Sequence, residues 1–572
     1  MERTAHRTAH SAPACDPPRA HGALHAAAAR VLADSWTGRS TVPSRGLYPH
    51  QWSWDSAFIA VGLRHLSPLR AQTELETLLA AQWADGRIPH IVFNPSVPLG
   101  AYFPSPDFWR SSTAGRAPGA PAAVETSGLV QPPVHALAAW LVHCADPRLS
   151  RARGFLARVH PRLAAWHRYL LHHRDLGGGG LAAVVHPWEQ GMDNSPCWDV
   201  PLARVAPAPA RSFRRADLDH GSPEDRPTDL DYGRYVRLAA DYRDGGYRDG
   251  PGGGAGAFAV EDPAFNALLA ASEHALARIA RELGAAGTAR HARAERLTAA
   301  LVERLWDPAR GIFLCRDLRA PAQAPERPVP GPAAGLRVSG PVTRGHASGP
   351  VTRGHASDPV DRGHASDPVA GGHPSGPVPE RPVPGTGAGS HGSAPVPERQ
   401  VPGPGTGPPG AGLVPELSVS GLVPLLLPGL PPGIVAALVR TLRGPHFALG
   451  GATRLVASYD LIGESFDPHR YWRGPAWFNT NWLVERGLRA HGERESADAL
   501  REAVLHTAGA TGFAEYADPY TGEARGAPGF GWTAALALDL LHDPCGQGVS
   551  AAGPGTFDTS EAAKDVKGGD RG

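Results

Sequence analysis

The sequence predicts an all-α fold. Apolar residues recur three and four positions apart from one end of the chain to the other, whereas alternating runs that would read as strands are scarce. Aromatic and polar clusters fall just before or at the start of these helical patterns. There, on loops at one end of a rigid array, binding residues would be carried.

In order, helices are predicted over residues 22–36, 54–66, 70–83, 133–144, 151–173, 232–242, 263–283, 288–306, 433–442, 475–491, 493–506 and 532–541, about a dozen. The second starts in the aromatic stretch YPHQWSWDSAF, the third runs into QWADGRIPHIVFNP, and the fourth follows QPP. The sixth ends at a Gly/Arg/Asp-rich interruption over 244–256. The ninth opens after two prolines, which suit a first helical turn. The tenth begins among aromatics and continues as an amphipathic helix, and the twelfth is the last periodic stretch.

The 572 residues, 42% hydrophobic, suffice for one large domain or two ordinary ones. Net charge is only +1 with both signs interspersed, so no basic face for nucleic acid or anionic lipid stands out, and a small uncharged or weakly charged substrate fits better. Cys15, Cys144, Cys197, Cys315 and Cys545 lie far apart with no C-x-x-C pair, which argues against a disulfide framework or zinc cluster and for a reducing cytoplasm. No apolar signal opens the chain, and the most apolar run, 421–442, is broken by Pro424, Pro428, Pro431 and Pro432, so no membrane span is expected.

Residues 320–412 read as a low-complexity insert in which SGPVTRGHA-type units of nine residues repeat from Ser339, Ser348, Ser357 and Ser366. Proline and glycine this dense bury too little apolar surface to offset chain entropy, so disorder is expected there, and likewise over 1–20 and 546–572. Disordered repeats need no ligand, so His346, His355, His364 and His373 are not assigned to a metal. A catalytic domain over 21–545, interrupted by the insert, is the resulting organisation.

Four clusters could carry chemistry. Around 48–58 and 82–95, Tyr48, Trp52 and Trp54 offer flat faces for sugar C–H groups, and Asp55, Gln82 and His90 offer partners for hydroxyls. The same residues also suit a packed core with a helix-capping aspartate. HPWEQGMDNSPCWD sets Glu189 and Asp193 between Trp188 and Trp198, where a desolvated carboxyl keeps its proton for a leaving group; an Asx-turn would explain Asp193 as well. DPHRYWRGPAW supplies Tyr471, Trp472, Arg473 and Trp477, and GFAEYADPYTGE supplies Glu515 between Phe513 and Tyr516. No G-x-S-x-G, P-loop, G-x-G-x-x-G or H-E-x-x-H pattern competes, and no cofactor or metal is assigned.

Read together, QWSWDSAF, DGRIPHIVFNP, QPPVHALAAW, HPWEQGMDNSP, YWRGPAWFNTNWLVERGL and EYADPYTGE…GWTAALALDLL resemble, in content and order, the mannosylglycerate hydrolase-like branch of glycoside hydrolase family sixty-three. The resemblance implies an (α/α)6 toroid and hydrolysis of an α-glycosidic bond with inversion. It makes Asp193 the general acid and Glu515 the general base, with Tyr48, Trp52, Trp54, Asp55, Gln82, His90, Trp188, Glu189, Tyr471, Trp472, Arg473 and Trp477 as sugar contacts. In an inverting site the two carboxyls stand roughly 6.5–9.5 Å apart, with room for water. The expected partner is a small carbohydrate, an α-glucoside, α-mannoside or glycerate conjugate. The rival from another class is a carbohydrate-binding or regulatory protein that kept the barrel and lost catalysis.

Overall fold

The computed structural model describes residues 17–112, 119–219, 223–249, 256–321 and 412–543. The repeat segment and both chain ends, on which the expectations of disorder fall, lie outside this set, apart from a few bordering residues. The first helix, α1 (Pro17–Asp34), starts inside the stretch expected to precede it.

Among the described residues the longer helices are α1, α2 (Ser53–Leu63), α3 (Pro68–Ala80), α4 (His135–Ala145), α5 (Phe155–His173), α6 (Asp229–Asp244), α7 (Pro263–Glu282), α8 (Thr288–Leu305), α9 (Pro432–Arg443), α10 (Phe478–Ala490), α11 (Arg494–Ala510) and α12 (Gly531–His542). Each overlaps a predicted stretch. Their starts follow from capping: Ser67 accepts the Arg70 N–H with Pro68 in the first turn, Thr228 accepts that of Asp231, and Asp262 that of Phe265 before Pro263. The helix expected over 151–173 is two pieces, because Gly154 adopts φ +60° between Pro147–Ala152 and α5.

Five helices and a pair of 3-10 turns pack in a closed cycle: α2 on α4, α4 on α7, α7 on the 3-10 turns Val419–Gly421 and Val423–Leu426, these on α10, α10 on α12, and α12 back on α2. Outside them, α3 packs on α2 and α4, α5 on α4 and α7, α8 on α7, α11 on α10 and α12, and α1 on α12. The cycle thus has a member that the helix prediction lacked. Pro424 and Pro428 interrupt an otherwise apolar run, so this wall is built from 3-10 turns. Conversely α6 was among the predicted dozen but belongs to neither set, and its buried Tyr232, Tyr235 and Tyr242 face the segments that carry the site.

All eleven residues of α2 are buried, as expected of a helix surrounded on every side. Gly62 is required there: a Cβ at this position would lie 2.3 Å from the backbone of Ala535 on α12. At the C-terminal ends of these helices, Asp539 is fully buried and accepts from Arg64 at 2.7 Å, Arg486 at 2.7 Å, Trp482 Nε1 at 2.9 Å and His65 at 3.0 Å, tying α2, α10 and α12 together. Those partners hold its carboxyl far below the usual carboxylate range despite burial.

At the opposite end, two-residue strands fix the helix starts. Gln51–Trp52 pairs with Ile91–Val92 just before α2, Ala476–Trp477 with Tyr516–Ala517 just before α10, and Val260–Glu261 with Ala183–Val184 just before α7. Among the described residues no helix is long and apolar enough to cross a membrane.

Candidate active site

A cavity opens at the end of the helix cycle where these strands lie. Its wall brings together Asp193 and Glu515 with Tyr48, Trp52, Trp54, Asp55, His90, Trp188, Tyr471, Trp472 and Trp477, all named from the sequence although the two carboxyls are 322 positions apart (515 − 193). Pro43, Tyr102, Gln131, Gly191, Phe530 and Trp532 complete it. The strands explain the convergence. Trp52 and Trp477 are strand residues immediately before helix starts, and Glu515 precedes the strand that pairs with Trp477.

The two carboxyls differ in their surroundings. Glu515 is held on both oxygens: Tyr48 donates its hydroxyl to Oε1 at 2.9 Å, the Ala527 N–H reaches Oε2 at 2.9 Å, and the Arg226 guanidinium lies 3.5 Å from Oε2. Burial pushes the Glu515 carboxyl up, while Arg226, the Ala527 N–H and Tyr48 all favour its anion. Burial pushes Asp193 up further, to about 7, against the pull of its own backbone N–H and Arg226 and with the negative charge of Glu515 adding to the rise. Asp193 thus holds its proton up to the edge of neutrality, while three donors favour the anion of Glu515. Asp55, at the start of α2, is raised well above the ordinary range by burial, its own backbone N–H opposing and Glu515 adding.

The walls are aromatic. Trp472 and Trp477 stack at 3.8 Å with an interplanar angle of 5°, Tyr516 stacks on Trp477 at 4.5 Å, and Trp54 meets Trp532 edge-on at 5.4 Å. Tyr471 takes φ +39°, a strained conformation for a bulky residue that packing must hold. Such faces suit the C–H surface of a sugar ring. Among the described residues no group of three or more His, Cys, Asp or Glu side chains could hold a metal.

Three sequence-named residues are not brought to this wall. Gln82 spends its amide N–H groups on the carbonyls of Gly86 and Arg162. Glu189 is fully buried, forked onto Arg174 at 2.5 and 2.7 Å and accepting the Val130 and Val185 N–H groups, so it fixes the loop below Trp188 rather than facing a ligand. Arg473 pairs with Asp199 at 2.6 Å.

Arg226 also belongs to this site, although it is not among the residues predicted from the sequence. It is 5% exposed, donates to Tyr48 Oη at 3.0 Å, faces Glu515 and lies 4.8 Å from the Tyr471 ring centroid. Nothing in SPEDRPTD marks that arginine, whereas Tyr102, Phe530 and Trp532 sit in aromatic stretches of the kind used to find the other walls.

The chain matches the family described as mannosylglycerate hydrolase MGH1-like glycoside hydrolase domain over residues 48–337 and 404–533. It is 35% identical over 521 residues to the mannosylglycerate hydrolase of Rubrobacter radiotolerans, covering 91% of this chain and 96% of that one. To the glucosylglycerate hydrolase of Mycolicibacterium hassiacum it is 33% identical over 541 residues, covering 92% and 99%. The family 63 mannosylglycerate hydrolase of Thermus thermophilus, solved in complex with Tris and D-glycerate, superposes with a TM-score of 0.67 at 31% identity, covering 90% of this chain and 99% of that one.

Proposed function

The chain belongs to the mannosylglycerate hydrolase MGH1-like family of glycoside hydrolases, and from that premise we propose that it hydrolyses the α-glycosidic bond between a hexose and glycerate with inversion. Asp193 protonates the glycosidic oxygen. Glu515 takes a proton from the water that attacks the anomeric carbon from the opposite face. The observation that carries this reading is the asymmetry of the two carboxyls in one cavity, Asp193 held near 7 and Glu515 supported as an anion by three donors.

The glycerate end supplies a second constraint. Its carboxylate needs a cation, and Arg226 is the buried guanidinium directly behind the cavity wall, against the wall residues Tyr48, Tyr471 and Glu515. The hexose end stacks on Trp54, Trp472 and Trp477 and hydrogen-bonds Asp55, Gln131 and His90. The helix cycle and its outer helices are read as the (α/α)6 toroid, with the catalytic domain over 21–545 and residues 320–412 inserted in it. The location is read as cytoplasmic, in keeping with the free thiols of Cys144, Cys197 and Cys315.

Substrate class is tested by offering the purified protein α-mannosylglycerate, α-glucosylglycerate and the corresponding methyl α-glycosides and measuring released hexose. Turnover of a glycerate conjugate at a kcat/KM at least about 10² above its methyl glycoside is expected if the carboxylate is recognised. Equal turnover of the two would remove glycerate from the assignment.

A further inference from the structure

We infer that Tyr235, on α6, is a positioning residue that holds the Asp193 carboxyl where it can reach the glycosidic oxygen. The proposal rests on the reading of Asp193 as the acid.

Asp193 lies in a turn, with no regular element of its own. The turn is closed by the Ser195 N–H on the Met192 carbonyl at 3.0 Å, and the Trp198 indole N–H reaches the same carbonyl at 2.7 Å. Neither contact fixes Asp193 itself. Its backbone carbonyl takes the phenol O–H of Tyr235, which is 1% exposed. Tyr235 also holds the start of the same segment: His186 Nε2 donates to the Tyr235 backbone carbonyl at 2.9 Å. His186 Nδ1 accepts the Trp188 N–H at 3.0 Å, so one neutral tautomer satisfies both bonds and caps the short helix Pro187–Gln190. The stretch from His186 to Asp193 is therefore fixed to one residue of α6 at both ends. The Trp188 ring between them packs on Tyr235 at 5.9 Å and on His186 at 4.5 Å.

This gives a role to the long helix that stands outside the cycle. It is the brace that sets the height of the acid above the ring. Without the phenol O–H, the Asp193 carbonyl loses its fixed partner and the turn can shift, while Trp188 keeps its packing on the retained ring and the wall residues carried by other elements stay in place. Displacing a reacting group by about 1 Å costs on the order of 10²-fold in rate.

The test separates acid catalysis from everything else by leaving group. Fluoride departs from an α-glycosyl fluoride without a proton, whereas glycerate must be protonated to leave. For Tyr235→Phe, which keeps the ring and removes the O–H, kcat on the glycerate glycoside should fall about 10- to 100-fold with KM within about twofold, and turnover of the fluoride should stay within about twofold. Asp193→Asn run alongside should lose at least about 10²-fold on the glycerate glycoside and far less on the fluoride. If Asp193→Asn depresses both substrates alike, the acid assignment fails, and with it the role of Tyr235. If Asp193→Asn discriminates but Tyr235→Phe lowers both substrates equally, or neither, the positioning role is overturned and the acid stands. Should Tyr235→Phe not fold, His186→Gln weakens the other tie to α6; selective loss on the glycerate glycoside supports the proposal, and unselective loss or none overturns it.

Discussion

Replacing Asp193 with Asn should slow turnover of a glycerate glycoside sharply and make the protein more stable at alkaline pH. Burial lifts this carboxyl to about 7 from its ordinary 3.8. Between those two values the folded protein keeps a proton that the unfolded chain has released, so stability drains away as pH rises through that window and the loss is complete above it. A gap of about 3 pK units at about 1.4 kcal/mol each sets a ceiling of about 4 kcal/mol. Asp193 is partly exposed to the cavity, and solvent there lowers the expected effect to about 2 kcal/mol. An asparagine cannot ionise, and it escapes this loss. Denaturant unfolding at pH 5 and pH 8 reads the difference: the advantage of Asp193→Asn should grow by about 1–3 kcal/mol between the two, alongside a rate loss of about 10²- to 10⁴-fold. An advantage that does not change with pH, or that shrinks at pH 8, would refute the claim that Asp193 is the group held protonated by burial.

Three further outcomes follow from the same geometry. Arg226→Met should raise KM for a glycerate glycoside by about tenfold or more, and it should move the alkaline limb of kcat/KM, set near 7 by Asp193, upward because the guanidinium is one of the groups that lower that carboxyl; the pH–rate profile checks both. Asp539→Asn removes the carboxylate that Arg64 and Arg486 share, leaving them only the longer pairs to Asp543 at 3.3 Å and Glu485 at 3.5 Å, and should cost about 3 kcal/mol at pH 7. Since the Asp539 carboxyl is depressed in the fold, its contribution is present above the ordinary carboxylate range and is lost as pH falls, so that deficit should narrow in acid while kcat of the folded enzyme stays unchanged. Gly62→Ala places a methyl group 2.3 Å from the Ala535 backbone, and thermal melting should show a loss of at least about 1–3 kcal/mol from forced separation of α2 and α12.

The parts of the site legible in the sequence share a signature. Trp52, Trp54, Trp188, Tyr471, Trp472 and Trp477 are large aromatics crowded with carboxyls just ahead of helical patterns, a combination a buried core alone does not need. Arg226 lacked that signature. Its position comes from a 3-10 turn, Pro223–Asp225, whose placement over Tyr471 is a tertiary fact. Glu189 and Arg473 had the signature without the role, because Arg174 and Asp199, distant in pattern from them, neutralise each one away from the cavity. The helix count was legible for a similar reason and misleading in one respect. Period-3.6 patterning reports amphipathic helices wherever they pack, so α6 was counted, while the proline-broken 3-10 wall at 419–426, which closes the cycle, carries no such period.

The central claim is that Asp193 and Glu515 act from opposite faces of the ring, and the anomeric configuration of the first product tests it most directly. Time-resolved proton NMR of α-mannosylglycerate and α-glucosylglycerate with the purified enzyme should show the β-anomer of the free hexose first, the α-anomer growing in only as mutarotation proceeds. Appearance of the α-anomer first, or no turnover of either conjugate, would contradict it.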